Sequence, residues 1–567
     1  RAAQPRITDT KVQVDIYPER REVLCSGIYK LKNFTDSVIT NVHVSMSRSE
    51  DYKYSFSNGA DLIDSCKYIS YNIYKLKSPV FPGDSLEMSF NVKHLTKGFN
   101  GGGAYFNGTF LNNFEYLPQI GYYADMEVQD EHKRKKYGLP PKERMASIDD
   151  PFERNRNYVG NASWTKFDAV VSTSSDQVAI APGRLVQEWS EGGRNFYRYK
   201  TDADILNFFC INSGSYEIKK DKWNDIELEI YYHKAHDQNI DHMMKMMKRS
   251  LEVYTRDFGP YQFKNLRIIE FPYGGFAQSF ATTIPYSENL GFIIDYKSKS
   301  EQGVDYLAYI TAHEIAHQWW AHQVSSANVK GATLLTEVLS QYSSYIVLKE
   351  NNEPKEVRTF TKYSLDSYLK GRSREAKKEL PLLYNEDQGY IHYDKGLVVF
   401  AALEDYIGKD SLNSALKKLT SDWKFKSDPY PVSTDILPYL NPVTPDSLKY
   451  MLDDMLGKIV LYDNKALSAE YSILDNGKYS TSLTVISDKF EADSLGSENK
   501  IGMNDYINIG LLDKDDEPVF MKKFRIDKDT MSFVIESDSL PVKAGIDPYA
   551  LLIDRDIKDN VIDILKK

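Results

Sequence analysis

Residues 313–317 read His-Glu-Ile-Ala-His, and that pentapeptide constrains its own fold. On an α-helix, side chains four residues apart stand one above the other on the same face. Both imidazoles, His313 and His317, can then reach one ion, and an imidazole pair suits zinc. Glu314 is then placed to take a proton from an attacking water. Tyr306, Ile310, Ala316 and Trp320 fall at helical spacing with the histidines, so a helix is expected over about 304–322.

A catalytic zinc takes three protein ligands and keeps a position open. His322 is the near candidate, but five residues along a helix it points elsewhere. The pattern with a third histidine needs Gly three and His six residues after His317, where Trp320 and Gln323 stand. His322 is therefore expected to be packed or hydrogen-bonded. The next apolar-periodic segment, about 333–350, offers Glu337 among Leu335, Val338, Leu339, Tyr342 and Ile346. A carboxylate on such a stripe is costly unless it is paired or on a metal. Glu337 is expected as the third ligand of one Zn2+ per chain, with Gln341 one turn on as its support. His233 and His236 sit at a strand end with no acidic partner in sequence and are read as surface histidines.

A chain of 567 residues exceeds a single core. Up to about 220 it reads as short strands, among them 11–17 and 86–94, separated by turn signals at 57–59, 82–84 and 101–103. A charged stretch, 127–157, interrupts them as a surface excursion. A strand at 226–232, a Met-striped helix at 242–259 ended by Gly259-Pro260, and a strand at 266–271 precede the zinc helix. The Met stripe is read as core filling. Strand alternation returns at 479–486, 506–512 and 532–536. This β, mixed, β texture suits an α+β multidomain fold: a β region at 1–220, an α/β region at 221–462 and a small β-sandwich at 463–567.

The net charge of −10, with both signs spread along the chain, argues against a nucleic-acid partner. Three cysteines without a CxxC pair make neither a disulfide framework nor a thiolate zinc site. No apolar run reaches the roughly 18 residues that span a bilayer. The start at Arg1, with no signal peptide, is read as a piece of something longer. Sequons at Asn33, Asn107 and Asn161 are short enough to arise by chance.

HEIAHQWW followed by LLTEVLSQY resembles the gluzincin aminopeptidases, the family of aminopeptidase N and leukotriene hydrolase. There the usual form is HELAHQWFGN, eighteen residues, then the glutamate of LNEGFAEY. Here nineteen residues separate His317 from Glu337, and Gln341 and His322 replace the usual Glu and Asn. The extra residue is placed in the loop 325–331. The metallopeptidase portions fused to bacterial ABC-transporter permeases look similar in their AHQWW helix and in the ending 543–562. That resemblance implies attachment to membrane permease segments outside this chain. It also implies a soluble portion of a bacterial membrane-associated protein, on an undetermined side of the membrane.

The resemblance further implies a thermolysin-like catalytic domain behind a saddle-like N-terminal domain. It also implies a zinc aminopeptidase acting on peptides with a free N-terminus. The family's amine-binding glutamate of GxMEN corresponds to Glu288, beside Asn289, although Pro285 and Ser287 replace the Gly and Met. Gly274 and Gly275 would help form the cleft, and Glu115 would supply a second carboxylate. YDKG at 393–396 resembles the family's YEKG, making Tyr393 the oxyanion donor. The alternatives are a non-catalytic peptide-binding or regulatory module of a transporter-associated protein, and a zinc endopeptidase.

Overall fold

The computed structural model describes residues 2–46, 51–97, 106–122, 127–160, 162–296 and 303–567. The turn signal at 101–103 and the sequon at Asn161 lie outside them. By contacts the chain divides into two units. One comprises 1–300, 305–329 and 420–432; the other comprises 301–304, 330–419 and 433–567. The expected α+β class holds, with an N-terminal region of several sheets, a helical middle region and C-terminal sheets. Among the described residues no helix is long and apolar enough to cross a membrane.

The first unit opens with strand Arg6–Tyr17, where Val12, Val14 and Ile16 turn inward while Lys11 and Gln13 face solvent. It lies between Glu22–Lys32, antiparallel, and Trp164–Ser174, parallel, in an eight-stranded sheet. Asn33 is buried, and its amide donates to the carbonyls of Ser37 and Val80, so this sequon is an internal tie.

A second sheet positions the site. Its order is β1 (Glu217–Trp223), β2 (Ile226–Tyr232), β3 (Asn265–Phe271) and β4 (Thr283–Ser287). The β1–β2 pair is antiparallel; β2–β3 and β3–β4 are parallel. Helix α1 (Ile240–Phe258) makes the crossover from β2 to β3 that a parallel pair needs. Met243, Met244, Met246 and Met247 are buried on it, as core filling requires. Every residue of β3 is buried, as a central parallel strand demands.

Helix α2 spans Tyr306–Ala316, shorter than the expected 304–322. The Asp305 carboxylate caps it by accepting from the Ala308 N–H at 2.9 Å. Tertiary anchors end it. The Trp319 indole donates to the Gly259 carbonyl at 2.9 Å, and Trp320 packs edge-on against Phe258. The charged stretch 127–157 is more than a surface excursion. The Asn157 amide donates to Ser325 Oγ at 2.8 Å, and Asn157 bridges Ala327, fixing the chain that leaves α2.

In the second unit, a turn of π-helix (Leu334–Val338) leads into α3 (Leu339–Asn351), followed by α4 (Pro354–Arg372). Another π-turn (Tyr390–Lys395) opens α5 (Gly396–Ile407). The C-terminal residues form two sheets around a shared core that includes Leu483, Val485, Ile507, Ile509 and Ile546.

Asp547 in that core carries a testable pH effect. Its buried carboxylate accepts the N–H groups of Leu551 and Leu552 at 3.1 and 2.9 Å. Burial raises its pKa to about 7, against the pull of those donors. The folded state thus holds a proton that the unfolded chain releases near pH 4. The resulting stabilisation is full below the unfolded pKa and is lost as pH rises through 7. Asp547→Asn removes the ionisation and keeps one acceptor. Between pH 5 and 8 in urea, the wild type should lose up to about 2.5 kcal/mol relative to this variant. Parallel pH curves would contradict the assignment.

Candidate active site

His313 and His317 lie on and just beyond the last turn of α2, and both are buried. Their Nε2 atoms face each other at 3.1 Å. The His317 Nδ1 lies 3.0 Å from the Trp320 carbonyl, which as an acceptor fixes a proton on Nδ1 and leaves the Nε2 lone pair outward. Glu314, also buried, stands next to His313; burial holds the nearby Tyr286 phenol protonated, and the Glu314 charge adds to it.

The residue after the second histidine does structural work that sequence reasoning missed. Gln318 Nε2 donates to Ser279 Oγ and the Phe280 carbonyl at 2.8 and 2.9 Å. Its Oε1 accepts from the Thr282 N–H at 3.1 Å, where the backbone has a left-handed φ of 62°. Gln318 therefore ties the end of α2 to the loop that enters β4. The signal was available: a glutamine in an otherwise apolar segment that leads into two buried tryptophans. His322 is packed and hydrogen-bonded as expected; its Nε2 lies 3.2 Å from the Ser279 carbonyl, and burial lowers its pKa to about 4.

Glu288 begins a half-buried π-turn, Glu288–Phe292, directly after β4. The proline at the family's glycine position is accommodated. Pro285 sits on the edge strand β4, and its carbonyl accepts from the Gln278 N–H. Ser287 Oγ donates to Asn289 Oδ1 at 3.0 Å, so the Asn289 side chain braces this turn.

The reading of His233 and His236 as surface histidines without an acidic partner is corrected. Glu270 on β3 is fully buried, bonded to His236 Nδ1 and, at 2.7 Å, to the His233 N–H. One donor atom each from His236, Glu270 and Glu288 lies within 4.8 Å of the others. Burial raises the Glu270 pKa, and the charge of Glu288 raises it further. The partner was invisible locally because Glu270 is 34 residues from His236 and reaches it only through the β2–β3 pairing.

Gly274 and Gly275 form an exposed turn after β3, where Gly274 has φ +84° and a Cβ would stand 2.8 Å from Phe276. Glu115 lies half-buried on a single helical turn, Asn113–Tyr116, after the strand Thr109–Asn112. Phe110 of that strand stacks on Phe271 at the end of β3.

In the second unit, Glu337 is half-buried on the π-turn between buried Leu335 and Val338. Gln341 is buried one turn later on α3. Tyr393 is 39% exposed on the π-turn before α5. The two turns meet: a Cβ on Gly396 would stand 2.8 Å from Val338, so the glycine of YDKG permits the contact. The lysine of YDKG is buried, and its Nζ donates to Glu379 at 2.9 Å. Glu379 also accepts from Tyr368 at 2.7 Å and Arg372 at 3.0 Å. This fully bonded carboxylate pins the turn that displays Tyr393. Neighbouring Asp394 has its pKa raised to about 7 by burial.

Residues 239–453 match the family described as "Peptidase family M1 domain". No curated protein matches the chain. Among solved structures, an M1 zinc metallopeptidase from Deinococcus radiodurans is similar at 12% identity and a TM-score of 0.56. The match covers 80% of this chain and 93% of that one. A mutant of that protein bound to a Tyr-Ser-Ala substrate matches at 13% identity and a TM-score of 0.55, covering 80% and 94%. These likenesses show a shared fold. His313, Glu314, His317, Glu337 and Tyr393 all fall within residues 239–453, the part of the chain that matches the Peptidase family M1 domain.

Proposed function

We propose that this chain is a zinc-dependent peptidase that removes the N-terminal residue from peptides. The observation that carries this reading is the pair of buried imidazoles with Nε2 atoms 3.1 Å apart, beside a buried glutamate, within a peptidase domain. The donor types fit zinc: His313 and His317 bring two imidazoles and Glu337 a carboxylate, a set that suits a single catalytic zinc. When bound, zinc would act as a Lewis acid on the scissile carbonyl and lower the pKa of the attacking water.

The chain's own residues do the rest. Glu314 accepts the proton of the attacking water and returns it to the leaving amine. The Tyr393 hydroxyl donates to the oxygen on which negative charge develops. Glu288 pairs with the substrate ammonium and excludes chains that extend beyond it. Glu115 is a second carboxylate for that ammonium, and Gly274, Gly275 and Asn289 shape the cleft around it. Attachment to permease segments outside this chain belongs to the same proposal, on the similarity of the ending 543–562.

The test is a panel of aminoacyl amides beside their N-acetylated counterparts, offered to the zinc-loaded protein. Cleavage of the free amines alone is expected, because an acetylated nitrogen carries no charge for Glu288. Cleavage of both forms would replace the exopeptidase with an endopeptidase. No cleavage with zinc bound would leave a peptide-binding module.

A further inference from the structure

We propose that a cavity in the second unit is a binding site for a small organic anion, a carboxylate or a phosphate with an apolar body. The cavity has a volume of about 520 Å³, within the range of small-molecule sites. One wall is the N-terminal half of α4. Lys355, Arg358 and Lys362 project into the cavity at helical spacing, so one face of the helix presents three cations. The amino-terminal end of this 19-residue helix adds its own positive field. The opposite wall comes from the C-terminal sheets, where Lys543 and Asp516 face inward beside apolar Pro548, Val561 and Ile562.

The charges are unequally committed. Arg358 pairs with Glu517 at 2.7 Å, and Lys543 pairs with Asp516 at 2.7 Å. Among the described residues, Lys355 and Lys362 have no ion pair or side-chain hydrogen bond. Lys362 is half-buried, and that burial lowers its pKa against the distant attraction of Asp516 and Asp547. A desolvated ammonium without a bonded partner is costly unless an anion completes it. Asp563 lines the same cavity and sets a limit: it disfavours a ligand with several negative charges and favours one compact anionic head. The apolar wall takes the ligand's body. This site involves none of the residues assigned to peptide hydrolysis.

The experiment is calorimetric titration of the full, zinc-loaded chain with three probes that share a phenyl ring: phenyl phosphate, 3-phenylpropionate and uncharged 3-phenylpropanol. Saturable one-to-one binding of an anion is expected, with none for the alcohol. The stronger of the two anions identifies the head group. Lys362→Met keeps the aliphatic stem and should weaken that binding about tenfold or more, the loss of one charge-assisted hydrogen bond. Its melting temperature should be unchanged or higher, since the variant removes a poorly solvated charge. Lys355→Met, at an exposed position, gives a second variant in which binding should also weaken. Anion binding that persists undiminished in Lys362→Met would place the anion elsewhere and overturn the proposal. Equal binding of the alcohol, or no saturable heat from either anion, would overturn it too.

Discussion

Glu314→Gln should lower kcat/KM by about 10³-fold while the protein still carries one zinc per chain. The amide keeps the shape and the buried position of the side chain but cannot accept a proton at neutral pH. General acid–base catalysis contributes roughly 10²–10⁴-fold, and here one carboxylate serves both proton transfers. The loss should fall on kcat more than on KM, because the transfers occur in the transition state. Retained zinc separates this effect from ligand loss. A variant that kept more than about a tenth of the wild-type rate would remove Glu314 from the mechanism.

Glu337→Gln should fail in the opposite way, by losing metal. The substitution leaves the π-turn's apolar anchors Leu334, Leu335 and Val338 in place, so the fold should persist. A neutral amide is a far weaker zinc donor than a carboxylate. Changing a group that only supports a ligand already costs about 10–100-fold in affinity, so replacing a ligand should cost on the order of 100-fold or more. Competition against a chelator measures this directly. Excess zinc should restore part of the hydrolysis in Glu337→Gln and none in Glu314→Gln. Unchanged zinc affinity in Glu337→Gln would assign the third ligand elsewhere.

Much of the local structure was legible in the sequence because it depends on local pattern. The strand at 226–232 and the Met-striped helix ended by Gly259 were readable from periodicity and punctuation, and the structure has them at Ile226–Tyr232 and Ile240–Phe258. The paired histidines were readable because four-residue spacing has one meaning on a helix. The extent of α2 was not, because two tryptophans anchored on Gly259 and Phe258 end it, and neither contact is local. The expected helix over 333–350 instead begins with a π-turn at Leu334–Val338. The Glu270–His236 pair and the clamp of Asn157 on Ser325 are long-range for the same reason. Glu270 did carry a faint signal, since an acidic residue inside a strand buried throughout must have a partner.

The central claim is one zinc held by two imidazoles and a carboxylate. X-ray absorption at the zinc edge of the reconstituted protein, with metal content counted, tests it most directly. The account predicts one zinc per chain, two imidazole nitrogens and oxygen donors at about 2.0–2.2 Å, and no sulfur. A shell without two imidazoles, a sulfur scatterer, or a chain that takes up no zinc would contradict it.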